Sequence, residues 1–252
     1  HAGPFLDLWR LPRLRAAKTR VSGAHTVNTD VPHSALMDKV YRRQRHFYDL
    51  TRKYYLLGRD RLVRELRANR GERIAEIGCG TARNMILIAE RYPGVALHGL
   101  DASAEMLQTA AQAIARAKLL DRIALKHGLA EDVTPAFFGV DAPFDRAIFS
   151  YSLSMIPDWR GALRAAALAV KPQGHVHIVD FGDLKGLPHF AERGLRAWLR
   201  LFHVAPRDEL LRAVESAQLG VEECSLTLLP GRYAFLVKAK PAAILKIAAG
   251  QT

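Results

Sequence analysis

The chain has 252 residues, 49% of them hydrophobic and 25% charged, which fits one α/β domain with embellishments or at most two small ones. No run approaches 18 consecutive apolar residues, which excludes a membrane-spanning helix, and two cysteines, Cys79 and Cys224, supply neither a disulfide framework nor a metal-ligand cluster. Lys and Arg number 37 against 25 Asp and Glu, a net charge of +12 that suits contact with nucleic acid, anionic lipid headgroups or anionic small substrates.

Residues 1–35 read as a peripheral basic arm. Phe5, Leu8, Trp9 and Pro12 recur at i, i+3, i+4 and i+7, beside Arg10, Arg13, Arg15, Lys18 and Arg20. That is the composition of an interfacial membrane segment, or of a surface arm packed on the body. Residues 36–69 read as helix, with Leu36, Val40, Tyr41, Phe47, Tyr48, Tyr54, Leu62 and Leu66 on a 3.6 period and Gly58 as an interruption. Tyrosines and arginines crowd this span, among them Tyr41, Arg45, Tyr48, Arg52, Tyr54 and Arg59. Together they suggest a lid over an anionic ligand.

The centre of the chain is Ile74-Ala75-Glu76-Ile77-Gly78-Cys79-Gly80-Thr81-Ala82-Arg83. A short apolar strand enters a glycine turn and a helical pattern follows at once, so backbone and helix amides can approach a ligand closely. Twenty-one residues after Gly80, the run Leu97-His98-Gly99-Leu100 ends in Asp101, and an acid at that spacing in a βαβ unit binds ribose hydroxyls. The pair suits a dinucleotide or another nucleoside cofactor. A dinucleotide fingerprint needs glycine where this chain has Arg83.

Strand and helix then alternate: helix 81–91, strand 95–100, helix 103–117 with Ser103 as N-cap, and strands near 123–126, 144–149 and 176–179. Pro157 and Trp159 lead into an alanine-rich helix that stops before Lys171-Pro172-Gln173-Gly174. An aromatic, basic helical segment fills 186–215, and two strands, 221–228 and 232–239, meet at Pro230-Gly231. This order implies a doubly wound α/β sheet with an antiparallel edge. In such a sheet ligands bind beyond the carboxyl ends of the strands, at the switch between the first and fourth.

The pattern E-x-G-x-G-x with an acid closing the second strand resembles the S-adenosyl-L-methionine (AdoMet) pocket of class I methyltransferases. That family implies seven strands in the Rossmann-like order 3-2-1-4-5-7-6. The segment Tyr41-Arg42-Arg43-Gln44-Arg45-His46-Phe47-Tyr48-Asp49-Leu50-Thr51-Arg52 through Asp60 resembles the stretch before the cofactor turn in bacterial betaine-lipid N-methyltransferases of the BtaB type. These trimethylate diacylglyceryl-homoserine. The resemblance implies a methyltransferase domain over 36–241, with lid 36–69 and substrate-side insertion 186–215, and leaves 242–252 as a tail.

It also implies roles for residues. Tyr48, Arg59, Glu76, Gly78, Gly80, Asp101, Ala102, Met106, Ala130, Glu131 and Ser150 would border the cofactor. Leu129 stands where relatives often carry an adenine-binding acid. Tyr41, Arg45, Arg52, Tyr54, Trp198 and Arg207 would meet the substrate, and Tyr151, Asp180 and His203 would position the ammonium and relay protons. The expected partners are a lipid substrate, an anionic membrane surface on the inner, cytoplasmic side, and the enzyme that makes the homoserine lipid. Neither an Asn/Asp-Pro-Pro-Tyr/Phe motif after strand four nor a cysteine nucleophile is present, which argues against nucleic acid as the target.

Overall fold

A computed structural model describes residues 56–201, 208–217 and 219–250, all within one compact unit. Tyr41, Arg45, Tyr48, Arg52, Tyr54, His203 and Arg207 lie outside the described residues, as do the arm and most of the expected lid.

The strands are β1 (Arg73–Ile77), β2 (Ala96–Asp101), β3 (Ile123–His127), β4 (Phe144–Ser150), β5 (Val170–Phe181), β6 (Cys224–Leu228) and β7 (Ala234–Ala239). They form one sheet in the order β3-β2-β1-β4-β5-β7-β6, as the resemblance implied. The first five are parallel, and β7 runs antiparallel between β5 and β6. β1, β2 and β4 each carry four successive buried residues, the pattern of strands covered on both faces.

One face is covered by α1 (Arg59–Glu65), α2 (Arg83–Arg91), α3 (Ala104–Arg116) and α5 (His189–Leu201). The other carries α4 (Trp159–Ala169), α6 (Asp208–Ser216) and α7 (Pro241–Ala249). Each helix buries a stripe at helical spacing: Met85, Ile88 and Ala89 in α2, and Met106, Ala110 and Ile114 in α3. Ser103 caps α3 by accepting from the Met106 amide.

The structure departs from the sequence reading in three places. The helix expected through residue 69 is confined, in its described part, to Arg59–Glu65. Gly58 (φ 87) precedes it, and Arg67 (φ 48) turns the chain toward β1. Strand five starts at Val170 because Lys171-Pro172-Gln173-Gly174 forms a bulge opposite Asp145 rather than a loop. The expected tail folds as α7. Pro241 takes the first helical turn, where its missing N–H costs nothing, and Ala243, Ile244, Ile247 and Ala248 are buried.

Candidate active site

The turn between β1 and α2 makes three left-handed steps, at Gly78 (φ 73), Gly80 (φ 54) and Ala82 (φ 61). A Cβ on Gly78 would stand 2.5 Å from the Cβ of Ser152, so glycine is needed there for space as well as for φ. Ser152 is fixed in turn by its hydroxyl, which donates to the Ile77 carbonyl at 2.8 Å. The turn from β1 and the segment leaving β4 are thereby pressed together at the switch point of the sheet.

Asp101 closes β2 beside them. Its Oδ2 accepts from the Gly80 amide at 2.7 Å and its Oδ1 from the Ser103 amide at 2.9 Å. Two amides from two different turns therefore orient one carboxylate.

These groups line a cavity of about 250 Å³. Gly78, Gly80 and Asp101 form one wall. Leu100, Ala102, Met106 and Gly128 to Glu131 form a second, largely apolar wall, and Tyr151, Ser152 and Met155 to Pro157 form the third. Of the residues expected at the cofactor, Gly78, Gly80, Asp101, Ala102, Met106, Ala130 and Glu131 line this cavity. Sequence reasoning missed Ser152 and the apolar step Met155-Ile156-Pro157 as wall residues. Their only signal was position, just beyond the carboxyl end of β4.

Other expected residues are placed differently. Glu76 is buried beneath the turn, where its Oε1 accepts from Asn84 Nδ2 at 2.8 Å and its Oε2 has no hydrogen-bond partner among the described residues. Burial pushes its pKa up to about 7, opposed by the Asn84 hydrogen bond and the charge of Arg59 and assisted by the charge of Asp101. Arg59 is itself buried, at the start of α1. Ser150 is buried within β4, behind the lining. Trp198 is half-buried and packs on the core face of α5.

Of the two expected catalytic residues that are described, Tyr151 lines the cavity and Asp180 does not. Tyr151 holds φ 56, an uncommon value for a bulky residue. Three contacts fix it there: its amide donates to the Val179 carbonyl at 2.8 Å, its hydroxyl donates to the Leu57 carbonyl, and its ring meets Phe181 edge-on at 4.7 Å. Burial pushes the phenol pKa far up, with Tyr233 and Asp180 adding to the rise. Tyr151 is thereby fixed as part of the third wall, its phenol held in the protonated form.

Asp180 is buried too, and both its oxygens face backbone amides. Oδ2 accepts from Ser154 at 3.0 Å and Oδ1 from Phe181 at 2.8 Å. It is not among the lining residues; it tethers the segment after β4 that forms the third wall. A larger groove of about 600 Å³ between α4, α6 and α7 has an exposed, ion-paired rim, with Arg160 3.7 Å from Glu209. None of the groups that converge on the switch point reaches it.

The cavity fits AdoMet. It offers an oriented carboxylate for a ribose, closely approaching backbone at Gly78 and Gly80, and an apolar cleft for a base.

Residues 75–176 match the methyltransferase domain family Methyltransf_12. Over 143 residues the chain is 33% identical to the trans-aconitate 2-methyltransferase of Afipia carboxidovorans, covering 57% of this chain and 50% of that protein. It is 28% identical over 127 residues to the demethylmenaquinone methyltransferase of a Geobacillus species, covering 50% of this chain and 52% of that one. The chain thus spans about half the length of these curated relatives. Among solved structures, the S-adenosylmethionine-dependent methyltransferase SibL superposes with a TM-score of 0.54 at 21% identity, over 84% of this chain and 60% of that one. The matched stretch holds the glycine turn, Asp101 and the third cavity wall, and it is over these residues that the chain is similar to AdoMet-dependent methyltransferases.

Proposed function

We propose that the protein is an AdoMet-dependent N-methyltransferase that trimethylates the amino group of diacylglyceryl-homoserine, forming diacylglyceryl-trimethylhomoserine at an anionic membrane surface. The methyl-transfer part rests above all on Asp101, whose carboxylate the Gly80 and Ser103 amides aim at the cavity. The lipid part is supported by the likeness of residues 41–60 to betaine-lipid enzymes and by the net charge of +12.

When bound, AdoMet supplies an electrophilic methyl group on a sulfonium, with S-adenosyl-L-homocysteine as the product. The chain's part is to hold and to orient. Asp101 would accept from the ribose hydroxyls, Ala102, Met106 and Leu129 would flank the adenine, and Gly78 and Gly80 would border the methionine portion. Tyr151, Met155 and Ile156 would exclude water from the acceptor side and fix the line of attack, which supplies much of the rate. The acceptor amine must be neutral to react, and burial away from water shifts it toward that form. Among the described residues, the ionisable groups lining the cavity are Asp101, Glu131 and Tyr151.

A second reading is favoured by the 33% identity to a trans-aconitate methyltransferase: methyl transfer to a carboxylate of a soluble anion. One experiment separates the two. Diacylglyceryl-homoserine is incubated with protein and AdoMet and its mass measured. Gains of one, two and three methyl groups that survive alkali support the first reading, because an ester methyl is lost in alkali. No gain, with AdoMet binding intact, overturns it.

A further inference from the structure

The lipid reading requires the cavity mouth to face a bilayer, and the carboxyl edge of the sheet carries the side chains for that contact. Seven large apolar side chains are exposed among the described residues, and four of them lie at this edge: Leu57 at 48%, Leu129 at 50%, Phe190 at 81% and Leu228 at 37%. Leu129 also lines the cavity, so the apolar rim is continuous with the site.

Phe190 stands on a rigid base. Arg232 grips Asp183 with two bonds of 2.7 and 2.8 Å, and Arg196 of α5 donates to the Asp183 carbonyl at 2.6 Å. The middle of α5 is thereby tied, through Asp183, to the turn before β7. Leu195, Trp198 and Leu199 turn inward from α5 onto the core, while Phe190, Arg193, Gly194 and Ala197 share the exposed face. Small residues at 194 and 197 leave Phe190 projecting, with Arg193 one turn away. Lys185, just before the helix, is 69% exposed, although it lies 3.8 Å from Asp183. An aromatic side chain flanked by cations is the composition of interfacial helices on anionic lipid.

We propose that the carboxyl edge of the sheet docks on an anionic bilayer through Phe190, with Lys185 and Arg193 beside it as the electrostatic contacts. This rests on the lipid-substrate reading. It places a membrane contact at the mouth of the site itself.

The test is sedimentation of the full chain with phosphatidylcholine vesicles, with and without phosphatidylglycerol. Phe190→Ser should lower partition onto the anionic vesicles about tenfold. Lys185→Gln and Arg193→Gln should lower it about fivefold each. Leu168→Ser, 70% exposed on α4 at the opposite edge, should change nothing. Equal binding by all four variants, or no binding by the parent chain, overturns the proposal. So does a dimer of the parent chain that Phe190→Ser dissolves without any vesicle binding. Methylation of a short-chain, water-soluble homoserine glycerolipid keeps the two ideas apart. Activity on it, unchanged in Phe190→Ser, with no vesicle binding sinks the docking surface alone. No activity on it sinks the substrate reading, while vesicle partition still reports on the surface.

Discussion

The Asp101 carboxylate and the Gly80 amide, 21 positions apart in sequence, meet at 2.7 Å, so one side chain both faces the cavity and braces the turn opposite it. Asp101→Ala should weaken AdoMet binding by roughly ten- to a hundredfold, because a charge-assisted hydrogen bond contributes about 1.5–3 kcal/mol. Asp101→Asn should lose a comparable amount, since its amide nitrogen would face one of the two backbone donors. Titration calorimetry with AdoMet measures both; wild-type affinity in the Asn variant would show that the brace carries no weight.

Tyr151 offers a test of wall against base. Its hydroxyl already donates to the Leu57 carbonyl, and burial keeps the phenol protonated. Tyr151→Phe should therefore keep kcat within about tenfold of the parent, whereas loss of a proton-transferring group costs about 10²–10⁴-fold. Asp180→Asn keeps the acceptor for one amide and puts an NH2 group against the other, so it should loosen the third wall and raise KM. Steady-state kinetics of the two variants, side by side, separate these outcomes.

The legibility of this chain follows the same division. The glycine turn and Asp101 were readable because a βαβ unit fixes their spacing, and the helix stripes because burial imposes a period. The tether of Asp180 was not readable, because its partners are the backbone amides of Ser154 and Phe181, which leave no mark on sequence. The bulge at 171–174 carries Pro172 and Gly174, which also mark loops, and only pairing to β4 distinguishes the two. Residues 242–252 read as a tail because a short apolar helix shows its role only against the surface it covers.

Glu76 gives stability a pH dependence of definite sign. Burial raises its pKa in the folded chain to about 7 from 4.5, so the folded form holds the proton more tightly than the unfolded form. Its contribution is complete below pH 4.5 and is lost as pH rises through about 7, on the order of 3 kcal/mol. Glu76→Gln should match the parent near pH 4 and exceed it at pH 8. Urea unfolding at both values measures the crossover; parallel curves would place the buried charge elsewhere.

Asp183 runs in the opposite direction. Its burial works to raise the pKa, but the Arg232 hydrogen bonds, the Lys185 amide and both cations together hold it below the usual 3.8. That stabilisation is present above pH 3.8 and lost as pH falls through the lower folded value. Asp183→Asn should lower stability by about 1–3 kcal/mol at pH 7, with the gap closing in strong acid. Thermal melts across that range give the answer.

For α7, Ile244→Ala should cost about 2–5 kcal/mol, the range for emptying a fully buried aliphatic site. Ending the chain after Lys240 should leave it unable to fold cooperatively. A tail would tolerate both changes, and denaturant unfolding decides.

The placement of β7 also sets an order on synthesis. It is made after β6, yet it sits inside the sheet between β5 and β6, and all six of its residues pair with Val176 to Phe181 of β5. Until they leave the ribosome, β5 presents an unpaired, apolar edge to every other nascent chain nearby. The growing polypeptide is therefore most exposed to aggregation and most dependent on chaperones between completion of β5 and arrival of β7. Codon changes that slow this interval should lower soluble yield without altering the mature protein.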